Sequence, residues 1–199
     1  MKQHRLVLTL AMLLPISWGD VAFAQQALPT AERPMQLSAF GAVSGVYTGL
    51  AGGKNFSITA GVDLGLPPFG RVRPTIEVRG TYPTDRGLVD SQKSVLAGLR
   101  VEAPLGHRIH PYGDFLVGRG EMNYRFGYLF NYQIYELTTT NVYSPGGGFD
   151  YDATEHWSAK VDVQVQRWGS APTPSGTVWA KVATVGVVYR FGFEGRRRR

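Results

Sequence analysis

Apolar and polar residues alternate along most of this chain. Phe56, Ile58, Ala60, Val62 and Leu64 are separated by Ser57, Thr59, Gly61 and Asp63. Val72, Pro74, Ile76 and Val78 alternate with Arg73, Thr75, Glu77 and Arg79. The pattern returns at Val95 to Glu102, where Arg100 and Glu102 hold polar positions, and at Ala159 to Gln166, where Lys160 and Asp162 do. It closes with Ala183 to Phe193, interrupted on the other face by Thr184, Gly186 and Arg190. A period of two is that of an extended strand whose two faces meet different surroundings; a helix would repeat every 3.6 residues. Eight strands are predicted, at 35–47, 55–65, 72–82, 93–103, 109–121, 141–152, 157–168 and 177–193. Each is near or above the roughly 9 to 11 residues that a tilted strand needs to cross a bilayer.

The first residues follow a different logic. Lys2, His4 and Arg5 precede an apolar run, Leu6 to Ile16, that is too short to span a membrane as a helix. Ala22-Phe23-Ala24 then offers small residues two apart. Basic, apolar and cleavable parts in that order predict a secretory signal peptide over 1–24, a barrel over 25–193 and a basic tail over 194–199. No later stretch approaches the roughly 20 apolar residues of a membrane helix. A chain of strands can cross a membrane only as a closed barrel, because an open edge would leave backbone groups unpaired in hydrocarbon. There is no cysteine, so neither a disulfide nor a thiolate site is expected.

Polar-face residues decide which side of the barrel looks outward. Asp63, Arg73, Glu77, Arg79, Arg100, Glu102, Lys160, Asp162 and Arg190 bring both signs of charge in similar number. An eight-stranded barrel has an interior that side chains can fill. Ions enclosed there must pair, since a lone buried charge costs several kcal/mol. The expectation is a salt-bridged plug inside and valine, isoleucine and aromatic rows outside, against lipid. The 25 glycines and the 12% aromatic content suit such a wall. The formal charge of +6 falls to +5 without residues 1–24 and to +1 without the last four arginines, so the body is nearly neutral and no nucleic-acid partner is expected.

Connections are expected to alternate in length. Pro67 to Gly70, Pro104 to Arg108 and Ala153 to His156 are compact turns, whereas Gly49 to Lys54, Pro83 to Gln92, Met122 to Thr140 and Gly169 to Gly176 are longer. Short periplasmic turns and long outward loops are the habit of outer-membrane barrels, which would put both termini in the periplasm. Within the longest connection Tyr124, Phe126, Tyr128, Phe130, Tyr132 and Tyr135 recur at near-alternate spacing. An extension of strands five and six into a hairpin is the favoured reading, ahead of an aromatic binding surface. Trp157, Trp168 and Trp179 fall near strand ends, where interface anchors are expected.

The run Thr184-Val185-Gly186-Val187-Val188-Tyr189-Arg190-Phe191, ending in Gly192-Phe193, resembles the insertion signal of outer-membrane barrels. Gly186, Tyr189, Phe191 and Phe193 carry it; here Glu194, Gly195 and four arginines follow the terminal aromatic. Together with His110-Pro111-Tyr112-Gly113, Gly146-Gly147-Gly148-Phe149-Asp150-Tyr151 and Glu155-His156-Trp157-Ser158, it makes nearly the whole mature chain similar to the eight-stranded OmpA-type and opacity-protein family. That resemblance implies residence in the outer membrane of a diderm bacterium, a non-enzymatic structural or surface-contact role, and biogenesis with periplasmic chaperones and the barrel-assembly machinery. The family's peptidoglycan-binding domain is not expected. A narrow solute pore and a lipid-modifying enzyme are the alternatives. For the latter, His107, His110 and His156 lie at turns and none forms a catalytic pattern with serine. No cofactor or metal is expected: Asp150, Asp152 and Glu155 have the spacing of a solvated turn, and Gly52-Gly53-Lys54 lacks the helix of a phosphate loop.

Overall fold

A computed structural model describes residues 35–50, 53–85, 91–103, 105 and 107–192. The expected signal segment, Phe193 and the arginine tail lie outside the described residues. Eight strands follow in order: β1 (Gln36–Tyr47), β2 (Lys54–Gly65), β3 (Arg73–Pro83), β4 (Ser91–Glu102), β5 (Ile109–Phe130), β6 (Gln133–Asp152), β7 (Trp157–Gly169) and β8 (Thr177–Arg190). Each pairs antiparallel with its neighbours, and β1 pairs with β8 through Ser38↔Arg190 to Tyr47↔Lys181, so the sheet closes on itself. Within the barrel wall no strand edge remains to template another chain. Among the described residues no helix is long and apolar enough to cross a membrane.

The closed sheet is inside-out relative to a soluble protein. Val95 is 65% exposed on the outer wall, together with Ile58, Val78, Leu99, Phe115 and Val185, while Arg100, Glu77 and Lys160 inside are 0% exposed. So much contiguous apolar surface is foreign to water-soluble monomers and is what a bilayer requires.

β5 and β6 depart from the expected lengths. They run on through 122–140 as one hairpin, turning at Asn131 and Tyr132, as the alternating aromatics suggested. Both turn residues have positive φ, 48° and 62°, matching the primed turns whose twist suits a tight hairpin. A register shift between Asn123 and Tyr128, with Gly127 at φ 74°, re-aims the hairpin where it leaves the barrel. The expected contrast in loop length is weaker than the sequence suggested. The β2–β3 connection, 66–72, is as long as the β7–β8 connection, 170–176. It is tightened by Phe69 and Val72, which bond each other's backbones in a small bridge. What distinguishes the two rims is therefore the projecting hairpin. We call them the hairpin end and the turn end; β1 begins and β8 finishes at the turn end.

Candidate functional site

Inward-facing positions on neighbouring strands lie level with one another, so the interior is built in layers. The ionic layer lies toward the turn end. Arg79 on β3 bonds Asp162 on β7 at 2.7 Å, contacts Glu77, and lies 3.6 Å from Asp114 on β5. Arg100 on β4 contacts Asp150 on β6, lies 3.0 Å from Glu102 and 3.4 Å from Asp63 on β2. Lys160 on β7 reaches Glu77 at 3.5 Å and Asp63 at 3.9 Å. Aromatic faces complete the cage: the Arg100 guanidinium stacks 3.5 Å above the Tyr112 ring and the Lys160 ammonium 4.0 Å from the Phe40 ring. Charge-assisted bonds across the lumen tie strands that do not touch through the backbone.

The sign balance differs from the sequence expectation. Arg73 and Arg190 sit at the turn-end mouth, where Arg73 donates to Gln36 at 2.8 Å and Arg190 pairs with Asp152 at 2.6 Å. Asp114 and Asp150 belong to the centre instead. Among the described residues three buried cations, Arg79, Arg100 and Lys160, thus face five buried acids, Asp63, Glu77, Asp114, Asp150 and Asp162. Asp63, Asp114 and Asp150 each keep one oxygen, and Arg100 its Nε, without a hydrogen-bond partner. Sequence reasoning missed Asp114, although it is the direct cross-strand partner of Arg100, and read Asp150 as part of a solvated turn. Tyr112 and Phe40 were also missed; their parity within β5 and β1 was the available signal.

Above the ions lies a belt of hydroxyls and amides. Ser44 sits 2.7 Å from Thr59 and 2.9 Å from Thr184, and Gln164 donates to Asp114 at 3.0 Å while accepting from Ser144. Toward the hairpin end the interior turns apolar, with Val46, Leu96, Leu116, Met122, Val142, Val178 and Val182. Trp168 belongs to this layer. It is 1% exposed and faces inward, so of the three described tryptophans only Trp157 and Trp179 stand on the outer wall. Gly120 makes the room: a Cβ there would meet the Trp168 ring at 2.3 Å. Tyr124 roofs the layer, and Tyr128 and Tyr135 pack on it from the hairpin base. The aromatic series in 122–140 is therefore split, because Phe126 and Tyr132 point outward and are exposed.

At the turn-end mouth Asp152 accepts from Ser158 at 2.8 Å and lies 2.9 Å from His110. The order is wrong for a nucleophile: the carboxylate lies between serine and imidazole, so the serine proton goes to Asp152 rather than to a base held by it. Ser158 and Arg190 both bond the Asp152 carboxylate, Arg190 at 2.6 Å. Asp150 and Asp152 are thus both committed to arginines rather than to a shared cation site.

Of the insertion-signal residues, Gly186 and Tyr189 lie on β8 and Phe191 just past it; Phe193 lies outside the described residues. Gly186 permits close packing on β1, since a Cβ would meet that of Ala42 at 2.4 Å. On the outer wall Tyr189 stacks edge-on with Trp157 at 4.9 Å and Phe191 at 5.1 Å, an aromatic group at the turn end.

No protein-family model matches the chain, and no curated protein does. Solved structures do. Neisserial surface protein A superposes with a TM-score of 0.55 at 13% identity, covering 79% of this chain and 97% of its own. Ail, the attachment invasion locus protein of Yersinia pestis, gives 0.46 at 10% identity over 79% and 97%. The outer membrane enzyme PagL gives 0.45 at 14% over 78% and 99%. Of these three, Neisserial surface protein A alone superposes closely enough to bear on architecture, and at that identity it bears on the fold alone. Closed order, strand number, inverted polarity and this superposition agree: the chain has the fold of the OmpA-type and opacity-protein-like eight-stranded transmembrane barrels.

Proposed function

We propose that the protein is a non-enzymatic barrel of the bacterial outer membrane, with a structural or surface-contact role, its hairpin reaching outward and its termini in the periplasm. The filled interior carries this reading. Arg100, Glu77, Lys160, Gln164, Ser144 and Leu116 have no exposed surface at all, and a conduit wide enough for water would leave them some. A barrel closed by its own side chains offers its wall and its projections rather than its lumen. The hairpin is the projection, and Phe126, Leu129, Tyr132 and Ile134 are exposed along it. Aromatic and aliphatic side chains on a rigid two-stranded support suit contact with a partner surface. Gly186 and Tyr189 on the last strand and Phe191 just past it are the residues through which the assembly machinery would recognise the chain.

The test has two arms. An epitope inserted between Asn131 and Tyr132 should bind antibody on intact cells, and reconstituted protein should give no stable conductance step in a planar bilayer. Labelling only after permeabilisation, or a large stable conductance, contradicts the reading.

A further inference from the structure

Formal charge on the lipid-facing wall is confined to one level. Below the projecting hairpin, the described outward-facing strand residues that carry charge are Lys54, Lys93, Arg119, Glu121, Arg167 and Lys181, all near the hairpin end. Lys93 pairs with Glu121 at 2.8 Å. Among the described residues no acid pairs with the other four. The turn-end wall is aromatic and uncharged by contrast, with Trp157, Tyr189 and Phe191.

These charges are arranged around bare glycines. Tyr47 on β1 lies in direct register with Lys54 on β2 and with Lys181 on β8, so the two lysines flank it at one height. One outward position below Tyr47 is Gly45, which has open space where a side chain would be. The result is a shallow groove of about 360 Å³, floored by Gly45 and bordered by Val163 and Ala183. A similar groove of about 390 Å³ lies over Gly80 on β3, with Tyr82, Lys93 and Arg119 at its margins. Each groove joins an apolar floor, a tyrosine at headgroup depth and two cations.

We propose that these grooves hold anionic, phosphate-bearing lipids of the leaflet at the hairpin end, one acyl chain over the glycine and the phosphate between the two basic side chains. The proposal rests on the reading that the apolar wall meets hydrocarbon. Charge on such a wall is tolerated only near an interface, where anionic headgroups reward each basic residue. Among the described residues the Gly45 groove has no acid beside its lysines, and it is the stronger of the two.

The test is native mass spectrometry of the full-length protein released from phosphatidylcholine nanodiscs that contain a minority of phosphatidic acid or, in parallel, of diacylglycerol with the same chains. Phosphatidic acid should be retained over phosphatidylcholine and diacylglycerol should not. The double variant Lys54→Gln/Lys181→Gln should lose about fivefold per lysine removed, roughly twenty-fivefold in all. Heat-modifiable gel migration checks that it still folds. Equal retention of phosphatidic acid and diacylglycerol by the unaltered protein overturns the proposal without any variant, as does full retention by a folded double variant. Displacement by millimolar inorganic phosphate would also overturn it, by showing a phosphate site that needs no lipid. Failure to enter phosphatidylcholine nanodiscs would instead remove the membrane reading beneath it.

Discussion

Arg100 is the side chain on which the interior turns. It joins β4 to acids from β2 and β6 and stacks on Tyr112 of β5. Replacing it with methionine removes the cation but leaves its acids buried, so the loss should be about 3–5 kcal/mol. Asp114→Asn should behave differently, because the layer already carries more acids than cations and the amide can still accept from Gln164. A change of about 1 kcal/mol or less is expected. Urea unfolding in lipid vesicles, followed by tryptophan fluorescence, compares the two; equal losses would refute the acid excess. Gly120→Val should cost a further class of energy, about 1–3 kcal/mol of overpacking, since Trp168 fills the space. The same unfolding curves measure it, and an unshifted midpoint would contradict the Trp168 placement. Alternation told which residues face inward. It did not tell their height, so Arg73 and Arg190 were expected among the central ions although they line the mouth. Trp168 was misplaced for a related reason. Its parity pointed inward, but its place near a strand end suggested an anchor, and the glycine that accommodates it lies on β5, far away in sequence.

At the level of elements the β5–β6 hairpin is the least constrained part. Its aromatics kept the period of a strand, and the hairpin was legible for that reason. The bulge was not, because Gly127 alone does not state which register follows it. The turn holds an avoidable cost: Tyr132 adopts a left-handed backbone while its side chain is fully exposed and makes no compensating packing. Tyr132→Gly should therefore stabilise the hairpin by about 1 kcal/mol. Amide hydrogen exchange of Leu129 to Gln133 should slow several-fold. Unchanged or faster exchange would show that Tyr132 has partners that the free protein conceals. Connection lengths were a poorer guide than strand pattern, since a chain of seven residues closes a turn at either rim and the Phe69–Val72 bridge tightens one of them without any change in length.

For the molecule as a whole, the fold was readable because two simple patterns constrain each other. Period-two alternation demands strands, and the absence of a spanning helix or an open edge demands closure. Charges on the polar face then select an interior that pairs them, and valines on the other face are left to hydrocarbon. What lay beyond the sequence is three-dimensional coincidence: five acids meeting three cations, lysines level with one tyrosine, a tryptophan sealed beneath a glycine. The polarity of the wall is the claim on which the rest depends. The absence of cysteine makes it directly measurable, since single cysteines carrying a nitroxide can be placed along β3 and β4 in liposome-reconstituted protein. Labels at Ile76, Val78, Val95, Ala97 and Leu99 should be relaxed by oxygen and shielded from a water-soluble nickel chelate, whereas labels at Thr75 and Ser94 should be immobile and shielded from both. Nickel access at the valine and leucine positions, or a loss of the two-residue alternation between the sets, would contradict a barrel whose apolar face meets lipid.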